Sequence, residues 1–201
     1  MLNDLKSKIM SLAREKGWGA SPDEINVHEK IAFIASELAE ASEEYAKAAD
    51  VYLIFRRQLV EAGYIYWASN VMMCESQFQP VGEKTERFVI AYRKEWGDVL
   101  QRTLHLGGIF GVDFPECMDD VMIDGYRRSK RDSEFIRVLF RAHAHYRHNR
   151  LTEFRLGLVE VAHYCMAVSI QDSFDIAQLV LEKIEENRNR SWDGLNETRV
   201  N

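Results

Sequence analysis

The chain is predicted to be all-helical, and three observations carry that prediction. Apolar residues recur at three- and four-residue spacing along most of its length. Strand-like alternation is scarce. The only prolines, Pro22, Pro80 and Pro115, fall where one helical pattern gives way to the next.

Leu2, Leu5, Ile9 and Leu12 stripe a first amphipathic helix over about 2–16, stopped by Gly17-Trp18-Gly19. Ser21-Pro22-Asp23-Glu24 has the form of a capping box with proline at the first helical position, so the second helix is expected to start there. Its stripe is Ile31, Ile34, Leu38, Ala41 and Tyr45, flanked by Glu37, Glu40 and Glu44. A separate, aromatic-rich helical stretch is expected over about 50–73, ending at a turn around Gln79-Pro80-Val81-Gly82. A long helix follows through Val89, Tyr92, Trp96, Val99 and Leu100 towards Leu106, loosened by Gly107-Gly108 and Gly111. Further helices are expected at about 114–130, 134–149, 151–170 and 174–190, with a polar tail beyond Trp192 that frays.

A chain of 201 residues, 46% apolar, suits a single domain with a sizeable core. A net charge of −6 speaks against a nucleic-acid polymer and against a polybasic membrane binder. No apolar run approaches the length of a transmembrane span. Cys74, Cys117 and Cys165 are scattered and form no CxxC, which fits a reducing, cytoplasmic compartment. His143, His145 and His148 lack the spacing of a zinc site and lie among arginines, so they read as a basic exposed face.

Two acid pairs carry the chemistry. Glu37-Leu-Ala-Glu40 and Glu95-Trp-Gly-Asp98 each put two carboxylates on one helix face, beside the apolar stripe. Packed together, two such helices would turn four acids into one pocket, which is costly without a cation. The expected cation is divalent, Mg²⁺ with Mn²⁺ as a substitute, and a phosphate-bearing ligand would lie behind it. Acidic i,i+3 pairs also arise by chance in a chain with 32 acids, as solvated helix faces.

The segment His28-Glu29-Lys30-Ile31-Ala32-Phe33-Ile34-Ala35-Ser36-Glu37-Leu38-Ala39-Glu40-Ala41 resembles the first motif helix of the MazG-like nucleotide pyrophosphohydrolases, in the all-α NTP pyrophosphatase superfamily. Glu95-Trp96-Gly97-Asp98-Val99-Leu100, with Gly111-Val112-Asp113-Phe114, resembles the second motif helix and its turn, and Lys16-Gly17-Trp18 fits the family's lead-in. The resemblance covers roughly 1–47 and 85–131. It implies a helical bundle of that type and Mg²⁺ held by Glu37, Glu40, Glu95 and Asp98, with Glu40 orienting or deprotonating the attacking water. It implies hydrolysis of a nucleoside triphosphate to a monophosphate and pyrophosphate. Trp18 and His28 are candidates to contact the base, beside plain structural roles.

The chain departs from the family pattern in three places. Ser36 stands where many members carry the first acid of EExxE. The interval from Glu40 to Glu95 is longer than usual, so about 48–85 reads as an insertion whose aromatics Tyr64, Tyr66, Trp67 and Phe78 either pack in the core or line a base pocket. The closing KxxxN motif does not follow Asp113 but does follow Asp175, as Lys183 and Asn187 with Arg190 beyond. These three would bind phosphate, or else form a basic helix end.

A shift of 62 residues sets Asp98 on Glu160, Leu104 on Met166, Asp113 on Asp175 and Phe114 on Ile176 without a gap. Any two amphipathic helix pairs can be slid into such a register. Read as duplication, it gives a metal-binding half, 1–131, and a degenerate half, 132–201, within one domain. The family's four-helix core would then form within one chain as a pseudo-dimer, or a homodimer would supply it. The alternative to an enzyme is a catalytically silent nucleotide-binding or regulatory protein on the same scaffold.

Overall fold

The computed structural model describes residues 1–76, 80–115 and 131–190. Every regular element among them is helical. There are seven α-helices: α1 (Leu2–Lys16), α2 (Val27–Glu61), α3 (Ile65–Ser76), α4 (Glu83–Ile109), α5 (Arg131–Arg147), α6 (Leu151–Gln171) and α7 (Ile176–Asn189). The expected helix over 114–130 and the polar tail lie outside the described residues, apart from the first two positions of the former. No helix among the described residues is long and apolar enough to cross a membrane.

Four helices form a closed ring. α2 packs on α4, α4 on α6, α6 on α5, and α5 back on α2. Side-chain pairs give the directions. Phe33 meets Arg102, and Tyr45 meets Tyr92, so α2 and α4 are antiparallel. Phe135 meets Tyr164, and Tyr146 meets Phe154, so α5 and α6 are antiparallel too. The ring centre is aromatic: Trp96 stacks on Tyr164, 6.4 Å between centroids, with Phe135 edge-on to both. Glycine sets the spacing between helices. A Cβ on Gly157 would lie 2.6 Å from the Cβ of Ala142, so α5 and α6 approach to backbone contact there.

α1 and α7 flank the ring. The Asn3 side chain donates to the Phe114 carbonyl (3.0 Å) and accepts from its amide (3.1 Å), tying α1 to the chain leaving α4. Lys16 donates to the Arg188 carbonyl at 2.8 Å, tying the other end of α1 to α7.

Three boundaries differ from the sequence expectation. Ser21 does not cap α2: Pro22–Glu24 is one 3₁₀ turn, and Glu24 turns back to accept the Ala20 amide at 2.6 Å. The helix starts at Val27, because the Asn26 side chain accepts from the His28 and Glu29 amides. α2 then runs unbroken through position 50 to Glu61, and the interruption comes at Gly63, whose φ of 80° is open to glycine at no cost. Gly107 and Gly108 do not end α4. Both are helical, packed against Phe114 and Met10, and the stop is Gly111 at φ 63°.

The aromatics singled out in the expected insertion do not, where described, pack in the core. Tyr64, Tyr66 and Trp67 are exposed, Tyr66 to 73%, and belong to no core. Leu53, Ile54, Phe55, Val60 and Ile65 are exposed beside them in sequence. Phe78 lies outside the described residues.

Candidate metal centre

The antiparallel pairing of α2 and α4 brings the two acid motifs together. Glu37 and Asp98 border the apolar stripes that α2 and α4 bury against each other, and Glu95 lies one turn from Asp98 on the same face. One carboxylate oxygen from each of Glu37, Glu95 and Asp98 lies within 4.8 Å of the others. Glu37 is buried, and the other two are half-buried.

The electrostatics show strain. Burial pushes the Glu95 carboxyl up to about 7, helped by the nearby charge of Asp98, a hydrogen bond with Glu37, and the charges of Glu37 and Glu40. A hydrogen bond between two carboxyls requires a proton on one of them. Two cations temper the repulsion. Arg102, one turn beyond Asp98, pairs with Glu37, and Lys183 of α7 donates to Asp98 at 2.8 Å. Lys183 reaches the site because α7 lies close on α4 at Gly97, where a Cβ would stand 3.2 Å from that of Leu179.

Glu40 stands apart from the trio. It is exposed, takes a long 3.4 Å hydrogen bond from the Ser36 hydroxyl, and reaches Glu95 only through its charge. Of the expected phosphate set, Lys183 is at the acids. Asn187 is buried one turn further along α7, and Arg190 pairs with Glu186. Trp18 is half-buried against the core, and its carbonyl accepts from Lys30 at 3.5 Å. His28 faces α5: its Nδ1 is 2.6 Å from Nε2 of His143, and its ring is edge-on to Tyr146. His143 is therefore not simply part of an exposed basic face. It joins α5 to the start of α2, and burial followed by the nearby His28 and Arg147 lowers its pKa.

Arg102 is the residue at this site that motif reading missed. It lies outside the ExxD motif, although its position four residues after Asp98 puts it on the same face.

The trio fits a small hard cation. All donors are carboxylate oxygens, and ligands of one Mg²⁺ stand about 2.9–4.2 Å apart at ordinary bond lengths, a small side-chain rotation from this spread. A cation would also offset the burial and the neighbouring charges that raise the Glu95 pKa.

The second half has no such group among the described residues. Glu160, the counterpart of Asp98 in the 62-residue register, pairs with Arg141 of α5, where Asp98 faces Glu37 of α2. The chain matches no family model, and no match to it is found among curated proteins or solved structures. The family resemblance therefore rests on the two motifs and their flanks.

Proposed function

We propose that the protein is a Mg²⁺-dependent nucleoside triphosphate pyrophosphohydrolase of the MazG-like kind, releasing a nucleoside monophosphate and pyrophosphate. The observation that carries the reading is the convergence of Glu37, Glu95 and Asp98 from two separate motifs, with Lys183 of the closing motif on Asp98. A solvated acidic face would account for neither the burial of Glu37 nor a lysine arriving from a third helix.

In this reading Glu37, Glu95 and Asp98 hold the cation, with Mn²⁺ able to replace Mg²⁺. When bound, it supplies charge neutralisation on the phosphates and a lowered pKa for water. Glu40, exposed beside the trio, takes the proton from the attacking water. Water oxygen bonds to the α-phosphorus, and the bond from that phosphorus to the α–β bridging oxygen breaks. Lys183 turns from Asp98 to the phosphate oxygens, and Asn187 and Arg190 extend that contact. Trp18 and His28, near the start of α2, are assigned to the base.

The decisive assay is pyrophosphate release from a panel of NTPs and dNTPs with Mg²⁺. Glu37→Gln and Asp98→Asn are expected to lose at least about 100-fold in kcat/KM. Activity equal to the wild type in both variants would remove these acids from the mechanism. A second reading, nucleotide binding without turnover, is favoured by Ser36 in an acid's place and by Glu40 standing outside the trio. Calorimetric binding of a non-hydrolysable triphosphate with no pyrophosphate release would support it.

A further inference from the structure

We propose that Arg102 is a phosphate-contacting residue: its guanidinium leaves Glu37 for the ligand's phosphate oxygens when a divalent cation takes the carboxylates. This rests on reading the trio as a cation site, and it adds a residue that neither acid motif contains.

The geometry is that of a transferable donor. The Arg102 guanidinium is paired with Oε1 of Glu37 and lies 5.1 Å over the ring of Phe33. The acid it holds is buried, whereas the Arg102 side chain is 42% exposed. The carboxylate is thus the enclosed partner and the arginine the one that borders solvent. The Phe33 face lies under the guanidinium itself, a second contact that holds the head near the acids. A guanidinium has five N–H donors in a planar fork, and one carboxylate oxygen engages few of them. Lys183 flanks the trio from another helix through Asp98. Bound phosphates lying over the trio would thus meet a cation from α4 and another from α7.

Arg102 and the divalent cation draw on the same carboxylate, so each weakens the other's hold on Glu37. A phosphate group restores a partner to the displaced guanidinium. Removing Arg102 therefore acts with opposite signs on two ligands. The bare cation binds more tightly, and the triphosphate binds less tightly. Loss of the positive charge alone would also move cation and triphosphate in opposite senses. The contact itself is therefore read from Arg102→Lys, which keeps the charge and loses the planar fork.

The test is calorimetry on the full chain, first with Mg²⁺ alone, then with a non-hydrolysable triphosphate analogue in saturating Mg²⁺. Arg102→Gln is expected to bind Mg²⁺ about three- to tenfold more tightly. It should bind the analogue about ten- to a hundredfold less tightly. Arg102→Lys keeps a charge beside Glu37, so its Mg²⁺ affinity should match the wild type while its analogue affinity falls part of the way. If R102Q fails to fold, Arg102→Met takes its place, since it keeps a long apolar side chain beside Phe33. Analogue affinity unchanged or raised in these variants overturns the proposal. If the wild type binds Mg²⁺ but fails to bind the analogue, the proposal is overturned too, while the cation site stands. No divalent uptake by the wild type defeats the cation reading itself.

Discussion

His105 and Glu95 are pulled away from their ordinary ionisation in opposite directions. His105 sits in the interior with its Nε2 3.0 Å from the Gly19 carbonyl, and burial lowers its pKa to about 4, against the pull of that hydrogen bond. Between pH 6.5 and 4 the unfolded chain takes a proton that folded His105 refuses, so this residue makes stability fall on acidification, by up to about 3 kcal/mol. Glu95 does the reverse. Its folded pKa of about 7 lies above the unfolded value, so its contribution weakens stability as pH rises from about 4.5 to 7. Glu95 is partly solvated, so its effect is the smaller after screening. Urea titrations without Mg²⁺ from pH 7.5 to 5 should therefore tilt in opposite senses for two variants. Relative to the wild type, His105→Gln gains stability towards acid and Glu95→Gln loses it. Parallel curves would show that neither environment is as the fold implies. His105 carries no motif, and its role becomes visible only once Gly19 is seen to lie against α4.

At the scale of the helix, close approach sets the energetics. Gly157→Ala is expected to destabilise by about 2–3 kcal/mol, since the added Cβ would meet both Cβ and Cα of Ala142 and the backbones must part. Gly97→Ala should cost about 1 kcal/mol or less, because its new contact, 3.2 Å from the Leu179 Cβ, asks only a slight adjustment. Chemical denaturation of the two variants checks the order. The helices themselves were largely legible: α1, α6 and α7 lie where apolar periodicity puts them, within a residue or two. What was not legible was the competition among caps. Ser21-Pro22-Asp23-Glu24 has the right residue types, but Asn26 offers a side chain that serves two amides at once, and Glu24 is taken by Ala20. Nor did the apolar content of 50–73 reveal exposure. Hydrophobicity there does not mean burial, because the end of α2 and the start of α3 put much of it in solvent.

At the scale of the molecule, the candidate site joins three helices, so filling it should be felt by the whole fold. On the proposed reading, Mg²⁺ at about a hundredfold over its dissociation constant stabilises the chain by about 2.7 kcal/mol. The rise in Tm should be larger at pH 8 than at pH 6, since Glu95 must release its proton to the cation. Chelator should abolish it, as should Glu37→Gln combined with Asp98→Asn. A Tm indifferent to Mg²⁺ at both pH values would count against the cation. The acids of this site were legible because each pair has helical spacing within one motif. The cations were less so, because Arg102 and Lys183 are placed by packing between helices. The 62-residue register is also matched locally, in that α4 and α6 end in the same pattern of backbone hydrogen bonds. The ends of α2 and α5 share that pattern, so it marks a common way of stopping a helix and does not by itself distinguish a duplicated half.

The bond between Lys183 and Asp98 has a consequence for inheritance. Its two ends are 85 positions apart, on α7 and α4. A chain ended after residue 131 would keep all three clustered acids and lose the lysine, so the site cannot be passed on as a compact cassette. Loss of the lysine leaves Asp98 beside Glu37 and Glu95 without that cation, so a change near the end of the chain acts on acids encoded far upstream.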